Sequence, residues 1–273
     1  MLKRNSHGLR LCLAAMALAL ALPFMPGAGS VTAYAAEKSG LTKENGRYYF
    51  YRSGKAVTKK WKTIKKNTYY FGEDGAAVTG WKTLKKGRKY NVFYFNKKGI
   101  RKPKKTAYID QKSVHKIVKK TDAALKKLGI TAETDKEQEL QLLFDYMTTG
   151  TTFRYGRDMT PKKPRGWEYK YAAAMLSKHT GSCYHYAAAY AFMARRATGL
   201  PVRVCIGKSK VFNAGAYQPH AWTEIKLDGA WYIFDTNAAR YSKRTNLVFF
   251  KLKASDSAAR SDFKASKKVT VRF

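Results

Sequence analysis

Acidic residues are scarce in this chain. It holds 18 Asp and Glu against 54 Lys and Arg, a formal net charge of +36. Such a surface repels cations and draws polyanions: nucleic acid, anionic lipid or an anionic wall polymer. Cysteine is scarce too, with Cys12, Cys183 and Cys205. Two thiols beyond the N-terminal region exclude a disulfide scaffold, although one bridge between Cys183 and Cys205 stays open in an oxidising compartment. After the first apolar run no long hydrophobic stretch follows, which leaves no second candidate for a membrane span. What the chain does have is enough apolar residues for a core (45%) and many aromatics (14%), in a length that suits one good-sized domain and a smaller module.

The first apolar run is itself informative. Lys3, Arg4 and Arg10 precede Leu11–Leu22, Pro23 ends the run, and Ala33-Tyr34-Ala35 offers a small-residue cleavage site. This is the layout of a secretory signal peptide over 1–35. The competing reading, an uncleaved anchor, asks for a longer span. Export implies a secreted, wall or surface location, no stable membrane insertion after cleavage, and no nucleic-acid partner.

Residues 41–102 repeat. Tyr48-Tyr49-Phe50, Tyr69-Tyr70-Phe71 and Phe93-Tyr94-Phe95 recur, as do Ser53-Gly54, Asp74-Gly75 and Lys98-Gly99. Trp61-Lys62-Thr63-Ile64-Lys65-Lys66 returns as Trp81-Lys82-Thr83-Leu84-Lys85-Lys86. Each unit reads as an aromatic strand, a Gly turn, a short strand and a Trp. A lone hairpin cannot bury both faces, so neighbours must stack. These units resemble the cell-wall-binding repeats of secreted bacterial proteins, the choline- and glucan-binding group. That resemblance implies ligand-facing aromatics, with Trp61, Trp81, Tyr49, Tyr70 and Tyr94 as candidates, by cation–π attraction in the choline-binding members. The Lys-rich units here suit an anionic wall polymer or glycan equally well.

Residues 103–112 form a basic linker, and 113–273 a second domain. Val114, Ile117, Val118, Leu125 and Leu128 share a helix face, with Gly129 as the stop and His115 on the polar side. Thr134 and Glu137 have capping-box spacing ahead of a Leu140, Leu143, Phe144, Met147 stripe. A short helix is predicted from Trp167. Asp158 and Glu168 read as surface charges.

Gly181-Ser182 then breaks the chain, and Ser182 is a natural N-cap. Cys183 therefore opens a helix, where the partial positive charge of a helix start favours a thiolate. Gly199-Leu200-Pro201 ends that helix, and 201–207 alternates as a strand carrying Cys205 as an ordinary strand thiol. Next, two aromatic, β-branched runs flank Asp228-Gly229, a two-residue hairpin signal. A tight turn there sets Asp235 opposite Trp222, with His220 on the same face and strand, so His220 and Asp235 are diagonal neighbours. A helix-start thiol, a base and an orienter are the parts of covalent acyl transfer.

At Gly181-Ser182-Cys183, Gly199–Val204, His220-Ala221-Trp222 and Trp231–Asp235 the chain resembles the transglutaminase-like superfamily. The resemblance implies an α+β, papain-like core: a helix-borne Cys packed on an antiparallel sheet, preceded here by the β-hairpin repeats. It also implies Cys183 as nucleophile, His220 as base and Asp235 as orienter, acting on a protein or peptide substrate through a thioester, with no cofactor. Cross-linking and hydrolysis both stay open. The oxyanion donor is also open among the Cys183 backbone N–H, Trp167, Tyr155 and Gln218. His179 and His185 flank the thiol, but a Cys183/His185 metal pair is ill-placed because the two side chains diverge around the helix. The rival to an exported, wall-associated cysteine acyl-transfer enzyme is a non-catalytic surface binding protein or adhesin.

Overall fold

The computed structural model describes residues 37–103, 108–157 and 165–273. The signal-peptide reading of 1–35, part of the 103–112 linker and Asp158 fall outside the described residues.

In the repeat region, turn chemistry sets the pairing. β1 (Gly40–Glu44) enters β2 (Arg47–Arg52) through Asn45 and Gly46, at φ 47° and 77°, which matches strand twist in a tight hairpin. β3 (Lys55–Ala56) returns along β2 after Ser53-Gly54. β4 (Lys60–Ile64) pairs with β5 (Asn67–Phe71), and β6 (Gly80–Lys86) with β7 (Lys89–Phe95). The phase of the repeat differs from the sequence expectation. Each of these two hairpins joins a Trp strand to the aromatic strand after it, so Trp61 faces Tyr70 and Trp81 faces Tyr94. The turns at Asp74-Gly75 and Lys98-Gly99 lead only to single bridges such as Phe71–Ala77 and Phe95–Arg101. The sequence does not mark the β4–β5 turn, because Lys65 and Lys66 make it, both at positive φ (45° and 68°), with neither position a Gly or Asn.

Tyr69, Phe71 and Ala77 form a small buried cluster among the hairpins. The third hairpin belongs elsewhere. Val92 is buried in the main core, and Trp81 and Tyr90 pack against that core. His115, expected on a solvated face, lies under the Tyr90 ring at 5.9 Å, because β7 packs on the first helix of the chain's described residues.

That helix, α1 (Gln111–Lys127), buries Val114, Ile117 and Val118. α2 (Lys136–Thr148) starts one residue later than the Thr134 capping box implies. Asp135 is its N-cap, one carboxylate oxygen taking the N–H groups of Glu137 and Gln138 at 2.8 and 3.3 Å. An anionic acceptor satisfies two first-turn donors at once. β8 (Arg154–Tyr155), α3 (Trp167–Lys178) and β9 (Thr180–Gly181) lead to α4 (Cys183–Thr198). Glu168 is not a surface charge. It is buried in the first turn of α3, and burial holds its carboxyl above the ordinary range despite Arg272 and Lys267 nearby.

α4 is buried at every position from Cys183 to Ala194. Its alanines let other elements approach from all sides, as a fully enclosed helix requires. The sheet beside it comprises β10 (Val202–Ser209), β11 (Gln218–Leu227), β12 (Ala230–Phe234), β13 (Leu252–Lys253) and β14 (Phe263–Thr270). α5 (Thr236–Tyr241) follows β12, and α6 (Ser257–Asp262) precedes β14. The strand order is β13-β12-β11-β10-β14, antiparallel throughout. Thr223 Oγ1 donates to the Ala187 carbonyl at 2.8 Å and ties β11 to α4. The architecture is thus α+β: a cysteine-bearing helix on an antiparallel sheet, preceded by β-hairpin repeats.

Candidate active site

Cys183 is the first residue of α4 and is buried. Its position is fixed from both sides. Gly181 has to be glycine, because a Cβ there would lie 2.4 Å from His185 Cγ. That close approach lets His185 Nδ1 accept the Ser182 N–H at 3.3 Å while Ser182 Oγ sits at the same distance. The His185 ring stacks on Tyr171 at 4.1 Å. His185 therefore serves the helix start. His179 ends α3 in a left-handed conformation and meets Phe153 edge-on at 5.1 Å. β8 pairs parallel to β9, and the Gly156 N–H reaches the Gly181 carbonyl at 3.0 Å.

The hairpin is the tight one. Asp228 and Gly229 both take positive φ (44° and 83°), and Leu227 pairs with Ala230. Thr223 faces Phe234, so the next position on β12 is Asp235, one residue past the ladder. His220 Nε2 lies 2.7 Å from Asp235 Oδ2, with both side chains almost wholly buried. The other carboxylate oxygen accepts the Ala238 N–H at 2.9 Å and so caps α5. One carboxylate orients the imidazole and is itself held by a helix start. The remaining ring nitrogen, Nδ1, is left for Cys183, which lies close enough to favour the charged imidazole. Burial opposes charge on His220, but Asp235 and then Cys183 outweigh it and push its pKa up to about 10.

Several neighbours of this group were not evident from the sequence. Tyr241 Oη accepts the Tyr155 N–H at 2.9 Å and the Arg240 Nε–H at 3.1 Å, with Tyr186 Oη at 3.3 Å. Burial opposes its ionisation, but these partners together bring it below the usual tyrosine value. Arg240 also bonds the carbonyls of Thr148, Thr149 and Gly150, capping the end of α2. Phe212 meets the His220 ring edge-on at 5.5 Å. No spacing rule links α5 to Tyr155, so these contacts had no signal in the sequence. Cys205 is a separate case. It is fully buried on β10, and burial followed by the Glu224 carboxylate pushes its thiol well up. Both cysteines are free.

The aromatic candidates of the repeats are largely occupied by the chain itself. Trp61 packs on Phe93 at 4.9 Å and Tyr70 at 5.2 Å, its indole N–H reaches the Lys85 carbonyl, and Lys86 Nζ lies 5.8 Å from its ring. Trp81 meets Tyr94 at 5.1 Å and Arg272 at 5.9 Å. Tyr49 lies 6.3 Å from Tyr51.

Residues 123–236 match the family model described as the Transglutaminase-like superfamily. The transglutaminase-like segment runs from α1 to the first residue of α5 and contains Cys183, His220 and Asp235. Among solved structures, the chain is similar to a protein described as a candidate cysteine protease from Cytophaga hutchinsonii, at 22% identity over 61% of this chain and 50% of that one, TM-score 0.35. It is similar to a structure described as a TGase at 14% identity over 54% and 37%, TM-score 0.36. Its repeats are similar to the pneumococcal cell wall endolysin from phage Cp-1 complexed with choline, at 25% identity over 26% and 20%, TM-score 0.22. The chain thus spans half or less of the length of each of these structures. No curated protein matches the sequence.

Proposed function

We propose that the transglutaminase-like segment is a cysteine acyl-transfer enzyme, with Cys183 as nucleophile, His220 as base and Asp235 as orienter. The observation that carries this reading is the buried His220–Asp235 pair at 2.7 Å, with the thiol at the start of α4 near enough to the same imidazole to raise its pKa. His220 Nδ1 takes the thiol proton, and Sγ attacks a glutaminyl, peptide or isopeptide carbonyl. The high proton affinity of His220 suits this step. The tetrahedral oxyanion collapses, the C–N bond breaks, and His220 hands its proton to the departing amine or ammonia. A thioester remains on Cys183. An amine or water then attacks it, gives its proton to His220, and releases Sγ, which recovers a proton from the imidazolium. Asp235 keeps Nε2–H pointed at itself and stabilises the imidazolium without taking its proton. The Cys183 backbone N–H, one of the first-turn donors that lack an intrahelical acceptor, suits the oxyanion. Trp167 suits it less, since its indole N–H is buried.

The protein acts outside the cell at a wall surface in this reading. The signal-like N-terminus, the +36 charge and the aromatic, Lys-rich hairpins support it. The test is the rate of iodoacetamide alkylation against pH for wild type and His220→Ala. Rapid alkylation of Cys183 well below pH 8 that disappears with His220 is expected. A common profile for both proteins, following an ordinary thiol of about 8.5, leaves a non-catalytic binding protein. Incubation with purified wall and a labelled primary amine then separates cross-linking from hydrolysis, by label incorporation or peptide release.

A further inference from the structure

The repeat region holds a second concavity that the acyl-transfer reading does not use. It has a volume of about 450 Å³ and lies where the first hairpin meets the 74–79 segment, β6 and the turn after β7. Its lining includes Arg47, Lys82, Lys97 and Lys98 with one carboxylate, Asp74. That carboxylate is engaged, at 2.6 Å from Arg47 and 3.1 Å from the Ala76 N–H. The volume falls within the range of small-ligand pockets.

We propose that this pocket binds successive phosphates of a polyol-phosphate polymer, with Lys82 at its base and Lys97 and Lys98 at its rim. Lys82 is half-buried and has no hydrogen-bond or ion-pair partner among the described residues. Burial, and then the Arg195 guanidinium, disfavour its charged form, and the Asp74 carboxylate offsets them only in part. An ammonium in that position is costly until an anion joins it. The rim is also built in advance. Asn96 Oδ1 accepts the N–H groups of Lys98 and Ile100 at 3.0 and 2.9 Å. Gly99, at φ 75°, presses the turn onto the segment after β5 so closely that a Cβ there would meet Ala77 Cβ at 2.6 Å. Lys97 and Lys98 are thus displayed from a fixed turn. Several cations in one concavity exceed what a single carboxylate needs and match closely spaced phosphates, for which Lys is a point-charge partner. Tyr48 is the one aromatic in the lining, which gives no aromatic cage for a quaternary ammonium there.

The proposal rests on the wall-associated reading above, but binding alone tests it. A fluorescent synthetic glycerol-phosphate oligomer is titrated into the full chain at physiological salt. Lys82→Gln is expected to weaken binding at least about tenfold, and the Lys97→Gln/Lys98→Gln pair by a similar factor. The Lys116→Gln/Lys119→Gln pair on the exposed side of α1, which removes as much charge as the rim pair, is expected to change it less than about twofold. Cys183 alkylation should be unaltered in all of them, so a failed catalytic reading leaves this result interpretable. If Lys82→Gln does not fold, the surface-turn pair decides. Equal weakening by the α1 and pocket variants overturns the proposal. So does displacement by choline, or equal, Lys82-dependent binding of a single-stranded DNA of the same charge.

Discussion

The hairpin repeats and the transglutaminase-like segment treat charge in opposite ways. In the repeats, ion pairs such as Arg47–Asp74 and Lys59–Glu73 are more than half exposed, and cations lie over aromatic rings at the surface. The transglutaminase-like half also has an exposed pair, Lys251–Glu137, but its Asp235, Glu224 and Asp262 are buried, and each has a partner: His220, Arg203 and Arg244. Exposed pairs contribute about 0–1 kcal/mol, whereas removing one partner of a buried pair costs about 3–5 kcal/mol. One half therefore displays paired charge to solvent, and the other encloses part of its own. Substitutions should separate the two halves by size of effect.

The largest effect is expected at the thiol and its base. Cys183→Ala should abolish acyl transfer, and His220→Ala should lower it by about 10²–10⁴-fold, the usual range for a general base. Trp61→Ala, which opens the aromatic cluster of the repeats, should leave turnover on a small peptide amide unchanged while reducing retention on purified wall. Both readouts moving together in the Trp61 variant would break the division.

Next in size is the carboxylate comparison. Asp235→Asn disturbs both the imidazole and the α5 cap, so a loss of about 3 kcal/mol in urea unfolding is expected. Asp74→Asn should cost less than about 1 kcal/mol. Similar losses at the two positions would mean that burial does not set the value of these carboxylates.

The pH dependence of His220 sharpens the same point. Its pKa is raised from an ordinary 6.5 to about 10 in the folded protein. Its charged form therefore stabilises the fold fully below pH 6.5, and that contribution is lost as pH rises through about 10. The melting-temperature advantage of wild type over His220→Gln should shrink on going from pH 6.5 to 10. An advantage that grows with pH over that window overturns the assignment.

Much of the transglutaminase-like half was legible because its signals are local. Ser182 before Cys183, Gly199-Leu200-Pro201 after the helix, and Asp228-Gly229 between two aromatic runs each fix a conformation within a few residues. The hairpin register that brings His220 to Asp235 follows from that one turn. The Tyr155–Tyr241–Tyr186 contact was not legible, because three separate elements must close on each other to make it. β14 was missed for a different reason. It is a Lys-rich strand, mostly exposed, and lacks the alternation that marks a half-buried strand; charged edges of this kind resist pairing with another chain. In the repeats the aromatic period was plain, but its phase was not. Gly75 and Gly99 mark the turns between hairpins, while a Lys-Lys turn closes the second hairpin.

That Lys-Lys turn carries the smallest prediction. Lys65 and Lys66 hold left-handed conformations that cost an L-residue about 1 kcal/mol each, and no covering side chain compensates, since both are exposed. Replacing the pair with Asn-Gly keeps the turn type and relieves the strain. Amide exchange in β4 and β5 should slow by a factor equivalent to about 0.5–1 kcal/mol. The alkylation profile of Cys183 should not move, because the β4–β5 hairpin shares no buried residue with the core around α4. Slower exchange confined to β4 and β5 sets the repeats apart as a locally stabilised unit. Slower exchange that spreads through β6 and β7 into α1 would instead show that the third hairpin transmits stability from one half to the other, through Val92 and the Tyr90–His115 contact.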